Sequence, residues 1–262
     1  MKRLWKERAA VLSVIALAVV AAPFAAQSDP NDSQEEKFKY SFKWAFVPAA
    51  SAEFTVKHEE REGRPVVVLE ASARSSRLVD PLWKMRDKVK AAYFADTGKS
   101  IDYELLQHEN LRQVETRIEF DNENGVAHSS WRKRKGKREW EEKEADVPFA
   151  NAHDALTAAM LIRNLDFESQ EECEIHVVSG KSLFKVNLKK VKTEQVKTKA
   201  GRFDAVKLAL TGEEIYPPQD PSKKKEEKVE SVYLWISKED NPKLVKLQAK
   251  AFVGSVTAQL MK

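Results

Sequence analysis

The 262 residues are 42% apolar and 33% charged, enough for one domain with a substantial core but too charged for sheets buried on both faces. The formal charge is +4, and Lys2, Arg3, Lys6 and Arg8 against Glu7 place three of those charges within residues 1–26. The remainder is nearly neutral, so charge gives no basis for a nucleic-acid partner, and the lone Cys173 excludes an internal disulfide or a C-x-x-C pair.

Residues 1–26 combine a basic start, an apolar run over 9–22 and the small residues Ala25 and Ala26, the pattern of a secretory signal peptide. The run is short for a membrane span, which needs roughly 20 residues. Pro23 and Phe24 stand where a small residue is expected before the cut, so an uncleaved N-terminal anchor remains the alternative. The chain is therefore expected to be periplasmic or secreted, and at most peripheral to a membrane once the signal is removed. Residues 27–36 are polar and read as a disordered linker. A single β-rich domain is expected over 37–262.

That domain opens with Phe38, Tyr40, Phe42, Trp44 and Phe46 alternating with polar or small residues, a half-buried strand that Pro48 should end. Ala52, Phe54 and Val56 share one face of the next strand, Arg61–Pro65 turns, and Val66–Ala71 follows. Residues 77–85 read as a connector. Strands are then predicted at Lys88–Phe94, Ile101–His108, Gln113–Phe120, Val126–Arg134 and Lys137–Glu144. After a gap they resume at Glu174–Val178, Leu183–Val191, Phe203–Leu210, Val229–Ile236, Leu244–Ala251 and Ser255–Met261. The glycines fall at the breaks, which suits turns between strands. Residues 151–165 differ: Asn151 is a plausible cap, and the segment is apolar nearly all round, so a buried helix is predicted. Residues 217–230, Pro-rich then mixed in charge, read as a solvated loop. The expected fold is all-β and mainly antiparallel, with one buried helix plugging a curved sheet, half-barrel or spiral barrel.

Few residues suggest chemistry. DTGKS at 96–100 and SGKS at 179–182 lack the earlier glycine of a phosphate loop, having Tyr93 and Ile175 there, and read as turns. The five histidines form no local metal pair, and no catalytic or cofactor-binding residue stands out. In the basic stretch Trp131–Arg138 a turn at Lys135–Gly136 would set Trp131 opposite Trp140 and Arg132 opposite Glu139. Arg132, Lys133, Arg134 and Lys135 could instead meet an anionic surface. Phe42, Trp44, Met160 and Trp235 could line a cavity inside the curved sheet.

Taken in order, YSFKWAFVPAASAEFTV, DKVKAAYFADTGKSIDYELLQHE, DALTAAMLIRNL, SLFKVNLKKVKTEQVKTKAGRFDAVKL and LWISKEDNPKLVKLQAKAFVGSVTAQL resemble the blocks of the bacterial domain-of-unknown-function family 3108, from about Phe38 to Leu260. The resemblance implies an exported protein with a curved β architecture, similar in outline to periplasmic lipoprotein carriers of the LolA and LolB kind. This chain has Ala49–Ala50 where the family usually carries a glycine. The family has no agreed catalytic residues, so none carries over. Two roles are therefore expected first: a carrier for an apolar envelope ligand such as a lipid or acyl chain, without cofactor, or a scaffold binding another envelope protein. A hydrolase with a dispersed site is the third.

Overall fold

The computed structural model describes residues 35–217, 232–250 and 254–261. The proposed signal peptide, the 27–34 part of the linker and residues 218–231 lie outside them. The fifteen described strands form one sheet in the order β8-β7-β6-β5-β4-β3-β2-β1-β15-β14-β13-β12-β11-β10-β9. Every pairing is antiparallel except that of β9 (Ala152–His153) with β10 (Glu172–Ser179). One wing holds β1 (Glu36–Trp44) to β8 (Glu141–Pro148), and the other holds β9 to β15 (Ser255–Leu260). They join where β1 pairs with β15, Tyr40 opposite Leu260 and Phe42 opposite Ala258. The sheet is curved and does not close by hydrogen bonds, since β8 and β9 lie at its two edges.

Alternation sets the two faces. On β1, Phe38, Tyr40 and Phe42 point inward beside Phe54 and Ala52 of β2 (Val47–Arg61), and one continuous core runs across both wings. The aromatic stripe stops sooner than its spacing suggests. The β1–β2 register shifts at Phe42/Lys43, Ala45 takes a positive φ, and the chain turns at Ala45–Phe46. Pro48 therefore lies inside β2, beside the bulge, where its missing N–H is tolerated. Glu36, read from sequence as linker, begins β1 on its inward face opposite Val56.

The basic hairpin also differs. Strand β7 (Val126–Lys135) is followed by a longer loop, and β8 starts at Glu141. Trp131 thus faces Lys143, Arg132 faces Glu142 and Lys133 faces Glu141, instead of Trp131 with Trp140 and Arg132 with Glu139. The loop is fixed by neighbours the sequence does not reveal. Gly136 N donates to Leu111 O at 2.7 Å, and the Trp140 ring lies beneath the guanidinium groups of Arg132 and Arg134 at 4.6 and 4.5 Å.

Helix α1 (Ala155–Arg163) is buried nearly all round, as its composition requires, and it packs between the wings against β4 (Arg86–Phe94) and β10. Its cap is Asp154, not Asn151. Asn151 has a positive φ and leads into β9. Asp154 Oδ1 accepts from Leu156 N and Thr157 N at 2.8 and 2.9 Å, and Oδ2 accepts from Ser100 Oγ at 2.7 Å. The same side chain thus caps the helix and ties it to β5 (Ser100–Glu109). Gly98, at a φ of +70°, lets the helix approach: a Cβ there would lie 3.2 Å from Leu161 Cδ2.

Replacing Asp154 with Ala removes the cap and leaves Ser100 without its acceptor. Asp154→Ala is expected to lower stability by about 2–4 kcal/mol in urea unfolding, and Ser100→Ala by about 1 kcal/mol. Equal losses would contradict the double role of Asp154.

Candidate binding site between the wings

At the C-terminal end of α1 the apolar pattern breaks at Arg163, which is only 1% exposed. A cation in the last helical turn is favoured by the helix dipole, but burying one is costly unless its donors are used. Here they are used poorly. Nη2 reaches Asn241 Oδ1 at 3.3 Å, Nη1 points at Met160 Sδ at 3.8 Å, and Nε has no partner among the described residues. Burial pulls the guanidinium down to about 10, opposed by the nearby Glu36, Tyr40 and Tyr93. Glu36 faces the same interior, and burial pushes its carboxyl up to about 7 against the attraction of Arg163. The two interact through space and form no direct ion pair. The Tyr40 hydroxyl is satisfied by Leu244 O at 2.9 Å, and burial raises Tyr93 to about 12. The result is one desolvated cation with unused N–H donors, set among Tyr40, Tyr93 and Met160. Such an arrangement can accept an oxyanion.

At the N-terminal end of α1 the buried polar groups are tied to the helix cap and its neighbours. Ser100 is fully buried, and its hydroxyl donates to the Asp154 carboxylate that caps the helix and accepts from Asp154 N at 3.0 Å. His153 bonds the backbone of Gly98, its Nδ1 is buried without a partner, and burial pulls it down to about 4, keeping the ring neutral. Elsewhere on the inward face Asp87 accepts from His108 N at 2.9 Å, while Oδ2 is buried and unpartnered. Burial pushes this carboxyl up to about 7.

The residues suggested by sequence separate. Phe42 and Met160 belong to the same interior core. Trp44 is 46% exposed at the end of β1, outside it. Trp235 is buried on the opposite face: on β13 (Val232–Ser237) the inward residues are Val232, Leu234 and Ile236, which pair with Leu210, Leu208 and Val206. The Trp235 ring lies between the Lys207 and Lys246 ammonium groups at 5.0 and 4.2 Å, and its Nε1 donates to Glu194 at 2.7 Å. Arg132 pairs with Glu115 at 2.6 Å and Lys133 with Glu141 at 3.0 Å, while Arg134 bonds Gln113. Lys135 makes no ion pair among the described residues. Sequence reasoning missed Arg163, Glu36 and Asn241. The available signal was a charged residue at the end of an otherwise apolar helix.

These features describe a curved, barrel-like antiparallel sheet holding a helix between its wings. The chain belongs to the family described as protein of unknown function DUF3108, whose profile matches residues 39–261. None of the curated proteins matches the sequence. Among solved structures it is similar to the β-barrel-like protein of domain of unknown function DUF1849 from Brucella abortus. That likeness has 9% identity and a TM-score of 0.53, covering 88% of this chain and 96% of that one. A candidate exported protein with a YmcC-like fold from Bacteroides fragilis NCTC 9343 shares 9% identity over 92% of this chain and 99% of that one, with a TM-score of 0.36. The first of these supports the fold, and neither carries an activity over. Among the described residues no helix is long and apolar enough to cross a membrane.

Because the Asp87 carboxyl lies near 7 in the folded chain and near 4 when unfolded, the folded chain holds a proton that the unfolded chain releases. This contribution therefore makes stability fall as pH rises through that window. The stability of Asp87→Asn relative to the parent is expected to rise by about 2–3 kcal/mol between pH 5 and pH 8, read from urea midpoints. An equal gap at both pH values would contradict a buried carboxyl that ionises late.

Proposed function

We propose that this domain is an exported binding module of the bacterial cell envelope, without catalysis, that takes an apolar ligand with an acidic head between its wings. The observation that carries this reading is Arg163, a buried cation whose N–H donors are not used by the protein. An acyl chain ending in a carboxylate or phosphate matches the surroundings, since the oxyanion would meet Arg163 and the chain would lie against Phe42, Met160 and the inward aliphatic residues. Export is supported by the character of residues 1–26.

The interior between the wings is packed as one continuous core. Ligand entry requires the wings to part, and the topology makes the β8–β9 side the natural opening. There the described residues form no strand ladder between the wings, which are joined by the short chain segment 149–151, side-chain contacts and helix α1, whereas the other side is a hydrogen-bonded ladder. Protonation of Glu36 below about pH 7 would remove the internal anion that competes for Arg163, so an acidic ligand should bind more tightly at pH 6 than at pH 8.

Native mass spectrometry of the protein purified from its own envelope, before and after incubation with a fatty acid or with phosphatidic acid, tests this. One acyl species per chain is expected, with the preferred head distinguishing carboxylate from phosphate. Arg163→Met should lower occupancy at least tenfold while leaving the circular dichroism spectrum unchanged. A clean ligand-free mass under all conditions, or equal occupancy in Arg163→Met, would overturn the proposal, and a co-purifying protein in place of lipid would favour a scaffold.

A further inference from the structure

The end of the N-terminal wing where β1 turns into β2 carries an unusual surface. Trp44, Phe46 and Val47 on that turn are 46%, 95% and 47% exposed, and Leu78, Leu82 and Trp83 on the connector between β3 (Arg64–Ser75) and β4 are 71%, 85% and 38% exposed. Single exposed apolar residues are ordinary, but six large ones on two neighbouring tips are not. The tips are tied together: Ser76 N donates to Ala49 O at 2.8 Å and Ser76 Oγ to Pro48 O at 2.6 Å. The connector is also clamped from within, because Arg86 holds both Asp80 oxygens, at 3.1 and 2.6 Å. The next tip along, between β5 and β6 (Arg112–Asp121), is joined to the connector by Asn110 N donating to Lys84 O at 2.7 Å, and it carries Leu111, 64% exposed. These side chains are therefore held outward on a braced rim.

The charge of the rim is as uneven as its polarity. Across residues 43–51 and 74–86, Lys43, Arg74, Arg77, Lys84 and Arg86 face one carboxylate, Asp80. Asp80 is engaged by Arg86, whereas Lys43, Arg74, Arg77 and Lys84 make no ion pair among the described residues. Just behind the apolar tips lies a cleft of about 390 Å³ lined by Ser51, Arg74, Ser76, Arg77 and the bonded pair Asp80–Arg86, so Arg74 and Arg77 are the guanidinium groups it leaves uncommitted to a carboxylate. Guanidinium and hydroxyl donors in that position suit phosphate oxygens.

We propose that this rim docks the protein on an anionic lipid bilayer, with Phe46 and Leu82 entering the interface, Trp44 and Trp83 at headgroup level, and the arginine-lined cleft meeting lipid phosphates. Apolar and aromatic tips interleaved with unpaired cations are the chemistry of interfacial membrane binding. A protein partner would call for a groove or a flat apolar face rather than separated protruding tips. This inference goes beyond the interior ligand and does not depend on it: a protein could load at a membrane through this end, or bind there with its interior empty.

The test is sedimentation of the purified protein with vesicles of equal parts phosphatidylglycerol and phosphatidylethanolamine, against pure phosphatidylcholine. At least tenfold stronger partitioning onto the anionic vesicles is expected, falling as salt is raised, with a blue shift of tryptophan emission on binding. Phe46→Ser/Leu82→Ser and Arg77→Glu/Lys84→Glu should each reduce binding at least tenfold. Leu106→Ser, at an exposed apolar position on the wall of β5, should leave it unchanged. Since all variants share one N-terminus, any contribution from residues 1–26 cancels. The rim residues are exposed, and matching melting curves would show that folding is intact. Arg163→Met should bind vesicles as the parent does, which separates failure of this proposal from failure of the interior site. Absence of vesicle binding, binding as strong as the parent's by either rim variant, or an equal loss in Leu106→Ser would overturn the proposal.

Discussion

The ladder between β1 and β15 is the constraint on which the rest of the structure depends. It makes one sheet from strands at opposite ends of the described chain, and it aligns the inward stripe Phe38, Tyr40 and Phe42 with Ala258 and Leu260. Tyr40 adds a side-chain link to Leu244 O, 204 residues away in sequence. Contacts this distant carry a large loop-closure cost, so the ladder should form late in folding, after the local hairpins on either side. With the ladder in place, the wings curve toward each other, and the gap opposite it must be filled. Helix α1 fills it. Its nearly uniform apolar surface is intelligible only for a helix with a wall on each side, and its cap, Asp154, is bonded to the strand that begins at Ser100.

The interior keeps polar groups that do nothing evident for stability. Arg163, Asp87 and His153 are each buried with an unpartnered atom, and in each case burial shifts the group toward its neutral form. Replacing such groups with apolar residues commonly leaves a protein as stable or more so. Arg163 differs from the other two because it cannot readily lose its charge. A desolvated, incompletely bonded cation at a place where the two wings meet is the feature on which the proposed ligand site rests. The rim at the far end of β1 is built the opposite way: apolar side chains are in water, and Lys43, Arg74, Arg77 and Lys84 make no ion pair among the described residues, although the backbone beneath them is tightly tied. The two proposals of lipid contact rest on these two departures from ordinary folding chemistry.

Much of the fold was legible in sequence because it rests on local periodicity. The alternation at Phe38–Phe42 and Ala52–Val56 placed two strands and their buried faces, and the composition of the helix predicted its burial. The errors fall where non-local contacts override spacing. A bulge at Phe42/Lys43 ends the aromatic stripe early, and contact with Leu111 and the Trp140 ring moves the β7–β8 register. The face occupied by Trp235 is set by pairing with Lys207 and Lys246 on neighbouring strands. Arg163 and Glu36 lie far apart in sequence and acquire meaning only when β1 and the end of α1 meet inside the sheet. The rim was hidden for a similar reason: Phe46 read as part of a buried stripe, and nothing local places it beside Leu82.

In the proposed function the wings hinge on the β1–β15 ladder and part on the β8–β9 side. Hydrogen–deuterium exchange followed peptide by peptide tests it most directly. Amides of 38–44 and 256–260 should exchange only through global unfolding, while those of β8, β9 and the first turn of α1 exchange through a smaller opening with a lower denaturant dependence. Exchange of the β1–β15 ladder at the same rate as β8 and β9 would contradict the account.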